Sequence, residues 1–269
     1  MPELPEVETI ARGLRESILN KKIRSVQINY PGIIIMPKGH PALAKMLSGD
    51  SITRVERHGK YLKLTTKKKH RLVVHLRMTG QLFTANKSYV PNKHVHLIVT
   101  FQNGLRLIYR DIRKFGRWTV VDPKKEFQAY INAGTDALVL TLKELKELMN
   151  KRPNVKLKAF LLKQELIAGI GNIYADEICF EIRKDPETPL RKVNPAILLK
   201  AILKILKLAI KHKGTSVSDY LTSLGAKGNF QNKLRIYKQK KCTICGENVQ
   251  RKKVAGRTSH FCNICQKKG

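Results

Sequence analysis

Acidic residues are scarce in this chain: 20 Asp and Glu stand against 53 Lys and Arg in 269 residues, leaving a formal charge of +33. So one-sided a balance points to a polyanionic partner rather than to solubility alone. Long apolar runs are lacking as well. The most apolar stretch, residues 195–210, is interrupted by Lys200, Lys204 and Lys207, a spacing that continues to Lys211 and draws one polar stripe along a helix. That pattern fits an amphipathic helix and not a membrane span. Residues 1–6 hold no basic stretch followed by an apolar one, so they lack the features of a secretory signal, and the expected compartment is the cytoplasm. Lysines recur all along the chain rather than gathering in one amphipathic segment, which favours nucleic acid over a lipid surface. Cysteines number only five, four of them in two close pairs near the C-terminus, which suits a metal site in a reducing compartment better than a disulfide framework. With 42% hydrophobic residues, the chain can still build cores for two domains of ordinary size.

What is present is ordered along the chain. Val7, Ile10, Ala11, Leu14 and Ile18 repeat at helical spacing, with Pro5 pre-set for a first turn and Glu6 and Glu8 complementing its dipole. From about Ser51 to Val121 the pattern changes to short β-branched and aromatic runs at 61–65, 72–76, 95–101, 105–109 and 118–121. Asn103-Gly104 between two of them signals a hairpin. Residues 1 to about 130 therefore read as a sandwich or barrel-like domain carrying one helix. Residues 133–139 look like a linker, after which Thr141 and Glu144 form a capping-box pair ahead of a helical run. The pattern predicts helices over 156–168 and 173–180, separated by Gly169-Ile170-Gly171, and a third, longer helix capped by Asn194-Pro195. Residues 214–232, rich in Gly, Ser and Asn, read as a mobile loop. The whole is a multidomain α+β chain.

Cys242 and Cys245, then Cys262 and Cys265, match the spacing of a four-thiolate zinc site on two knuckles. Four thiolates close the tetrahedron and leave no position for water, so the zinc is expected to be structural. Cys179 falls on an apolar helix face and belongs to the core. Between the knuckles, Gly256 allows a turn and Arg257 projects from it, which suits a phosphate contact.

Residues 1–9, Met-Pro-Glu-Leu-Pro-Glu-Val-Glu-Thr, resemble the start of the formamidopyrimidine-DNA glycosylases, whose initiator methionine is removed to expose proline. Residues 58–62, His-Gly-Lys-Tyr-Leu, look like that family's lysine-bearing hairpin. Residues 75–80, His-Leu-Arg-Met-Thr-Gly, and 111–116, Asp-Ile-Arg-Lys-Phe-Gly, resemble its intercalating loops, and 167–177 its helix-two-turn-helix motif. With the cysteine pairs, the similarity spans nearly the whole chain. It implies a catalytic β-sandwich domain over 1–131, a helix-two-turn-helix domain with a lesion-recognition loop over 132–232, and a zinc finger over 233–269. Three departures stand out: Tyr237-Lys-Gln-Lys-Lys-Cys242 replaces the usual Tyr-Gly-Arg and Pro-Cys, its lysines being able to substitute in phosphate contact, Lys114 stands where a second arginine is common, and residues 214–232 are only loosely similar.

The resemblance implies a bifunctional enzyme that excises oxidised purines from duplex DNA and then cuts the strand. An α-amino group has a pKa near 8, roughly two units below lysine, so a useful fraction of a freed Pro2 is neutral and nucleophilic. As a secondary amine it leaves an iminium when the base departs, which opens elimination of both flanking phosphates. Glu3 is expected to shuttle protons to the sugar, Lys60 to bring an ammonium to sugar and phosphate, and Arg257 to bind phosphate and serve as acid for the second elimination. Asn172, His94 and Arg152 are expected on the DNA backbone. Met78, Arg113 and Phe115 correspond to the three residues that fill the void left by an extruded base, with Arg113 on the orphaned cytosine. The implied partner is damaged double-stranded DNA, read by a monomer with one zinc ion and no other cofactor. Two rivals are the related endonuclease VIII class, which prefers oxidised pyrimidines, and a non-catalytic zinc-finger protein. Leu4-Pro5 with the complete Met78, Arg113 and Phe115 set counts against the first, Pro2-Glu3 and Lys60 against the second.

Overall fold

In the computed structural model, which describes residues 1–35, 42–122, 125–216 and 220–267, the N-terminal helical spacing becomes α1 (Leu4–Ile18). Val7, Ile10, Ala11, Leu14 and Ile18 are all fully buried, and each large side chain among them contributes about 1.5–3 kcal/mol. After α1 come β1 (Ile23–Ile28), β2 (Ile34–Ile35), α2 (Ala42–Leu47), β3 (Ile52–His58), β4 (Tyr61–Thr66) and β5 (Arg71–His75). β6 (Gly80–Ala85), β7 (Val95–Phe101), β8 (Arg106–Asp111) and β9 (Arg117–Val121) follow. Among the described residues these strands make two sheets, ordered β1-β7-β8-β6 and β2-β9-β5-β4-β3. Leu62, Leu64, Val74 and Trp118 from one sheet share a core with Leu82, Leu97, Leu107 and Tyr109 from the other, and α1 packs into the same core. That is the expected sandwich. The hairpin at Asn103-Gly104 joins β7 to β8, with Gly104 at φ +82°. The connections β5 to β6 and β8 to β9 both pass between sheets at one end, where the turn between β3 and β4 also lies.

By packing, the chain divides into two compact units, Met1–Asn132 with His212–Asn229 and Ala133–Lys211 with Phe230–Gly269. Of residues 214–232, expected to be a mobile loop, 217–219 lie outside the described residues. The described remainder has no regular element before the short turn Phe230–Lys233, but its first part is tied into the first unit. The Thr215 N–H donates to Glu6 Oε1 at 2.7 Å, the Thr84 N–H to the Ser223 carbonyl at 2.7 Å, and Tyr220 is buried.

The second unit holds β10 (Thr135–Asp136), α3 (Leu142–Asn150), α4 (Leu157–Leu162), β11 (Ile167–Ala168), α5 (Asn172–Glu181), α6 (Pro195–Lys211), β12 (Gln250–Val254) and β13 (Arg257–Phe261). The capping box forms: the Thr141 N–H donates to Glu144 Oε2 at 2.8 Å and the Glu144 N–H to Thr141 Oγ1 at 3.2 Å. Asn194 caps α6 through the N–H groups of Ala196 and Ile197. Two expectations are corrected. The helix predicted over 156–168 ends at Leu162, because the Gln164 side chain accepts the Gly169 N–H at 3.0 Å and donates to the Ile170 carbonyl at 2.6 Å, folding the chain back. The released Ile167 and Ala168 then pair in parallel with Thr135 and Asp136, so the 133–139 stretch is part of a small sheet rather than a plain linker. Gly134 permits that approach: a Cβ there would meet the Leu166 carbonyl oxygen at 2.4 Å. No helix among the described residues is long and apolar enough to cross a membrane.

Candidate active site and nucleic-acid interface

Pro2 and Glu3 are buried just ahead of α1. The Glu3 N–H donates to Glu6 Oε2 at 2.7 Å while Glu6 Oε1 takes the Thr215 N–H, so one carboxylate clamps the N-terminal turn to the returning segment. That exceeds the dipole role read from the sequence. Glu8 likewise accepts from Arg12 and Arg57, each at 2.9 Å. Burial alone would raise its carboxyl, but these guanidinium groups outweigh it and hold Glu8 below the ordinary carboxylate range. Arg57 also donates to the Gly59 carbonyl at 3.1 Å. Since Arg15 reaches Val55 and Glu8 reaches Arg57, the N-terminal end of α1 points towards the Gly59-Lys60 turn. Gly59 takes φ +55°, as the tight turn requires, and Lys60 is buried.

His75 closes the same end, opposite Tyr61 in register and edge-on to its ring at 4.6 Å. Burial, with Arg77 and Lys60 nearby, holds its imidazole down to about 3, so it is neutral. Its Nδ1 accepts the Arg77 N–H at 3.0 Å, which leaves the proton on Nε2. Sequence reasoning gave His75 no role; its position at a strand end ahead of the Met78 loop was the signal available.

Met78 and Phe115 project from their turns, 41% and 46% exposed. Arg113 lies between them, Nη1 at 3.2 Å from Met78 Sδ and its guanidinium carbon 4.6 Å from the Phe115 ring centre. The three expected void-filling side chains are therefore brought together. His94 sits at this end as well, its carbonyl accepting the Asp111 N–H at 2.9 Å.

In the second unit, Asn172 opens α5 and its Nδ2 donates to the Thr258 carbonyl at 3.0 Å, tying the helix start to the hairpin of β12 and β13. Together with Tyr237, Lys238, Arg251, Arg257 and His260 these residues line a recess of about 600 Å³ with no carboxylate in its wall. Neither the Arg251 nor the Arg257 guanidinium has a hydrogen-bond or ion-pair partner among the described residues. Lys238 stands at φ +59°, a left-handed position that glycine would hold without strain. Sequence reasoning had Lys238 among the lysines of 237–242 that could substitute in phosphate contact; it did not single out Arg251. Arg152 lies elsewhere, just past α3, with its guanidinium on the Leu148 carbonyl at 3.3 Å.

Two acids of α5 hold this arrangement. Asp176 pairs with the fully buried Lys158 at 2.6 Å and accepts the His260 N–H at 2.9 Å; Glu177 accepts the N–H groups of Arg235, Ile236 and Tyr237. Beyond them, all four sulfurs of Cys242, Cys245, Cys262 and Cys265 lie within 4.8 Å of one another. The Cys242–Cys265 and Cys245–Cys262 separations are 3.9 and 3.5 Å. A tetrahedron with Zn–S bonds of about 2.3 Å needs sulfurs about 3.8 Å apart, so the set fits a metal ion. Burial and the neighbouring thiols push Cys265 up to about 12, an opposition to ionisation that a divalent cation would relieve.

The formamidopyrimidine-DNA glycosylase N-terminal domain matches residues 1–118 and the corresponding H2TH domain matches 127–220. The formamidopyrimidine-DNA glycosylase of Lactococcus lactis is 39% identical over 277 residues, covering 100% of both chains, and that of Pelotomaculum thermopropionicum is 37% identical over 276, covering 99% of each. Two solved structures of the Lactococcus lactis protein, one with DNA containing an abasic site and one with DNA containing N7-benzyl-Fapy-dG, each superpose with a TM-score of 0.89 at 36% identity. Each covers 98% of this chain and 99% of that one. The chain belongs to the formamidopyrimidine-DNA glycosylase family.

Proposed function

We propose that this enzyme excises oxidised purines such as 8-oxoguanine and formamidopyrimidines from duplex DNA and then cleaves the abasic site, with Pro2 as nucleophile. The observation that carries the reading is the convergence of the Glu6-clamped N-terminus and the buried Lys60 turn, bridged through Glu8, Arg57 and Gly59. After Met1 is removed, the Pro2 nitrogen attacks C1′ and gives up its proton, the glycosidic bond breaks with the base leaving protonated, and the C1′–O4′ bond then opens, O4′ taking a proton, to give an iminium. The resulting iminium acidifies C2′; loss of that proton expels the 3′ phosphate, and a second elimination expels the 5′ phosphate. Glu3 moves protons at the opening sugar, Lys60 holds sugar and phosphate, and Arg257 binds phosphate and donates the proton of the second step.

Met78, Arg113 and Phe115 fill the emptied stack, with Arg113 donating to O2 and N3 of the orphaned cytosine. His94, Arg152 and Asn172 contact the backbone, and Lys238 and Arg251 take over where the family's Tyr-Gly-Arg is missing. One zinc ion on the four thiolates orders the finger and takes no part in the chemistry. Residues 1–131 carry the catalysis, 132–232 the helix-two-turn-helix and lesion loop, and 233–269 the finger. The enzyme works as a monomer on nucleoid DNA in the cytoplasm, without a small-molecule cofactor.

Borohydride tests the nucleophile. It should reduce the iminium and trap the protein on DNA containing 8-oxoguanine, with the adduct mapping to Pro2. An adduct on a lysine would overturn the assignment, and protein retaining Met1 should form none, because its proline nitrogen is an amide.

A further inference from the structure

The carboxylate of Asp111 is fully buried, beyond the reach of any DNA, yet three of the four groups it binds belong to the two loops that carry the void-filling side chains. Oδ1 accepts from the Thr79 hydroxyl at 2.5 Å and from the Arg113 N–H at 3.2 Å. Oδ2 accepts from the Gly116 N–H at 2.8 Å and from the Tyr109 hydroxyl at 3.1 Å. The Arg113 N–H is shared with Thr79 Oγ1, also at 3.2 Å, so hydroxyl and carboxylate together hold that backbone. Thr79 follows Met78 and Gly116 follows Phe115. One carboxylate thus ties the loop from β5 to β6 to the loop from β8 to β9, at the point where Gly80 and Asp111 face each other in register.

Both loops need such a tie. Arg77 stands at φ +53° and Lys114 at φ +57°, left-handed positions that side-chain-bearing residues hold only where the surroundings impose them. Gly116 is confined as well, since a Cβ there would meet the Tyr109 hydroxyl at 1.7 Å. The Tyr109 hydroxyl is itself kept protonated by burial and by the Asp111 charge, so it remains a donor.

We propose that Asp111 is a positioning residue for base extrusion: it locks the two loops into one preassembled wedge, so that Met78, Arg113 and Phe115 enter the duplex as a unit already set at stacking distance. The proposal rests on the void-filling reading of those three side chains. It makes reading of the opposite base depend on a group that never touches DNA. It also separates two activities of the enzyme. Excision from a duplex requires the wedge, whereas cleavage of an abasic site in single-stranded DNA leaves no partner base orphaned and no stack to fill.

The test compares Asp111→Asn, Thr79→Val and Arg113→Ala in single-turnover assays. In Asp111→Asn an amide NH2 confronts the Gly116 N–H or the Thr79 and Arg113 donors, whereas Thr79→Val removes a single hydroxyl and leaves the Tyr109 and Gly116 bonds. Excision of 8-oxoguanine opposite cytosine should fall on the order of 10- to 100-fold in Asp111→Asn and several-fold in Thr79→Val, matching loss of charge-assisted bonds. The preference for cytosine over adenine should shrink in both variants towards that of Arg113→Ala. Cleavage of the single-stranded abasic site should stay within about twofold, the size expected if no bond to that substrate is lost. If duplex excision and opposite-base preference are unchanged in Asp111→Asn and Thr79→Val while Arg113→Ala loses preference, the hub is wrong and the void-filling reading survives. If single-stranded cleavage falls in parallel with duplex excision, the carboxylate merely supports the fold, which also overturns the proposal. Undiminished preference in Arg113→Ala defeats the void-filling reading itself, and the proposal with it.

Discussion

His75 shows how one residue can link the candidate site to stability. Its imidazole is held down to about 3 by burial first and by Arg77 and Lys60 second, whereas an unfolded histidine titrates near 6.5. Above about pH 6.5 both states are neutral and the full stability is present. As pH falls below that value, the unfolded chain gains a proton that the folded chain refuses, so stability drops steadily until about pH 3. Between pH 7 and 5 the thermal midpoint of the protein should therefore fall more than that of His75→Gln, which has nothing to titrate there. Parallel midpoints across that range would show that His75 is not the group responsible. The same neutrality leaves His75 a hydrogen-bond donor through Nε2 rather than a charge at the end of the sandwich that holds the Gly59-Lys60 turn.

At the scale of elements, the hairpin of β12 and β13 is fastened by more than its cysteines. Lys252 on β12 pairs with Asp185 at 2.7 Å and Glu187 at 3.0 Å, while the Asp176 and Lys158 pair, both with buried side chains, grips β13 through His260 and the Thr258 carbonyl. Breaking such a buried pair by removing one partner costs about 3–5 kcal/mol. Metal removal should consequently disorder the knuckles first. Chelation should release one zinc per chain and weaken DNA binding, and Arg257→Ala should weaken binding with metal content unchanged. Active protein without zinc, or zinc held by fewer than four thiolates, would refute the structural-metal assignment. These fastenings mark the limit of what the sequence discloses. α1, the β7–β8 hairpin, the Thr141 and Asn194 caps and the cysteine spacing were legible because each depends on neighbours in sequence. The end of α4 was not, because it turns on the Gln164 side chain reaching Gly169 and Ile170. Glu6, Glu177 and Asp111 look like ordinary surface acids in the sequence; only the folded chain brings a donor from a distant segment onto each carboxylate, the Thr215 N–H, the N–H groups of residues 235–237 and the Thr79 hydroxyl respectively. The family resemblance supplied Pro2, Lys60 and the Met78, Arg113 and Phe115 set, which spacing alone would have left as core or solvent-facing residues.

At the scale of the whole molecule, a charge of +33 is far more than a few specific contacts require, and its consequence is measurable as counterion release. Each phosphate neutralised on duplex DNA adds about 0.9 to the slope of log affinity against log salt. Most of the lysines should contribute only diffuse attraction, whereas cations seated on a phosphate change the slope one by one. The recess around Asn172 and Arg257 makes the distinction testable, since Lys238 and Arg251 line it without a carboxylate beside them. Arg251→Gln and Lys238→Gly should each lower the salt slope by about 0.9 and weaken binding to damaged and undamaged duplex by the same factor, as a sequence-independent contact must. Lys238→Gly is the sharper variant. Glycine takes the left-handed φ of +59° without strain, so the fold should be held or improved while the charge is lost, and weaker binding could not be blamed on a damaged backbone. An unchanged slope in both variants would mean that the recess takes no further phosphate. The lysines that replace the family's Tyr-Gly-Arg would then be part of the general positive field and not of the site.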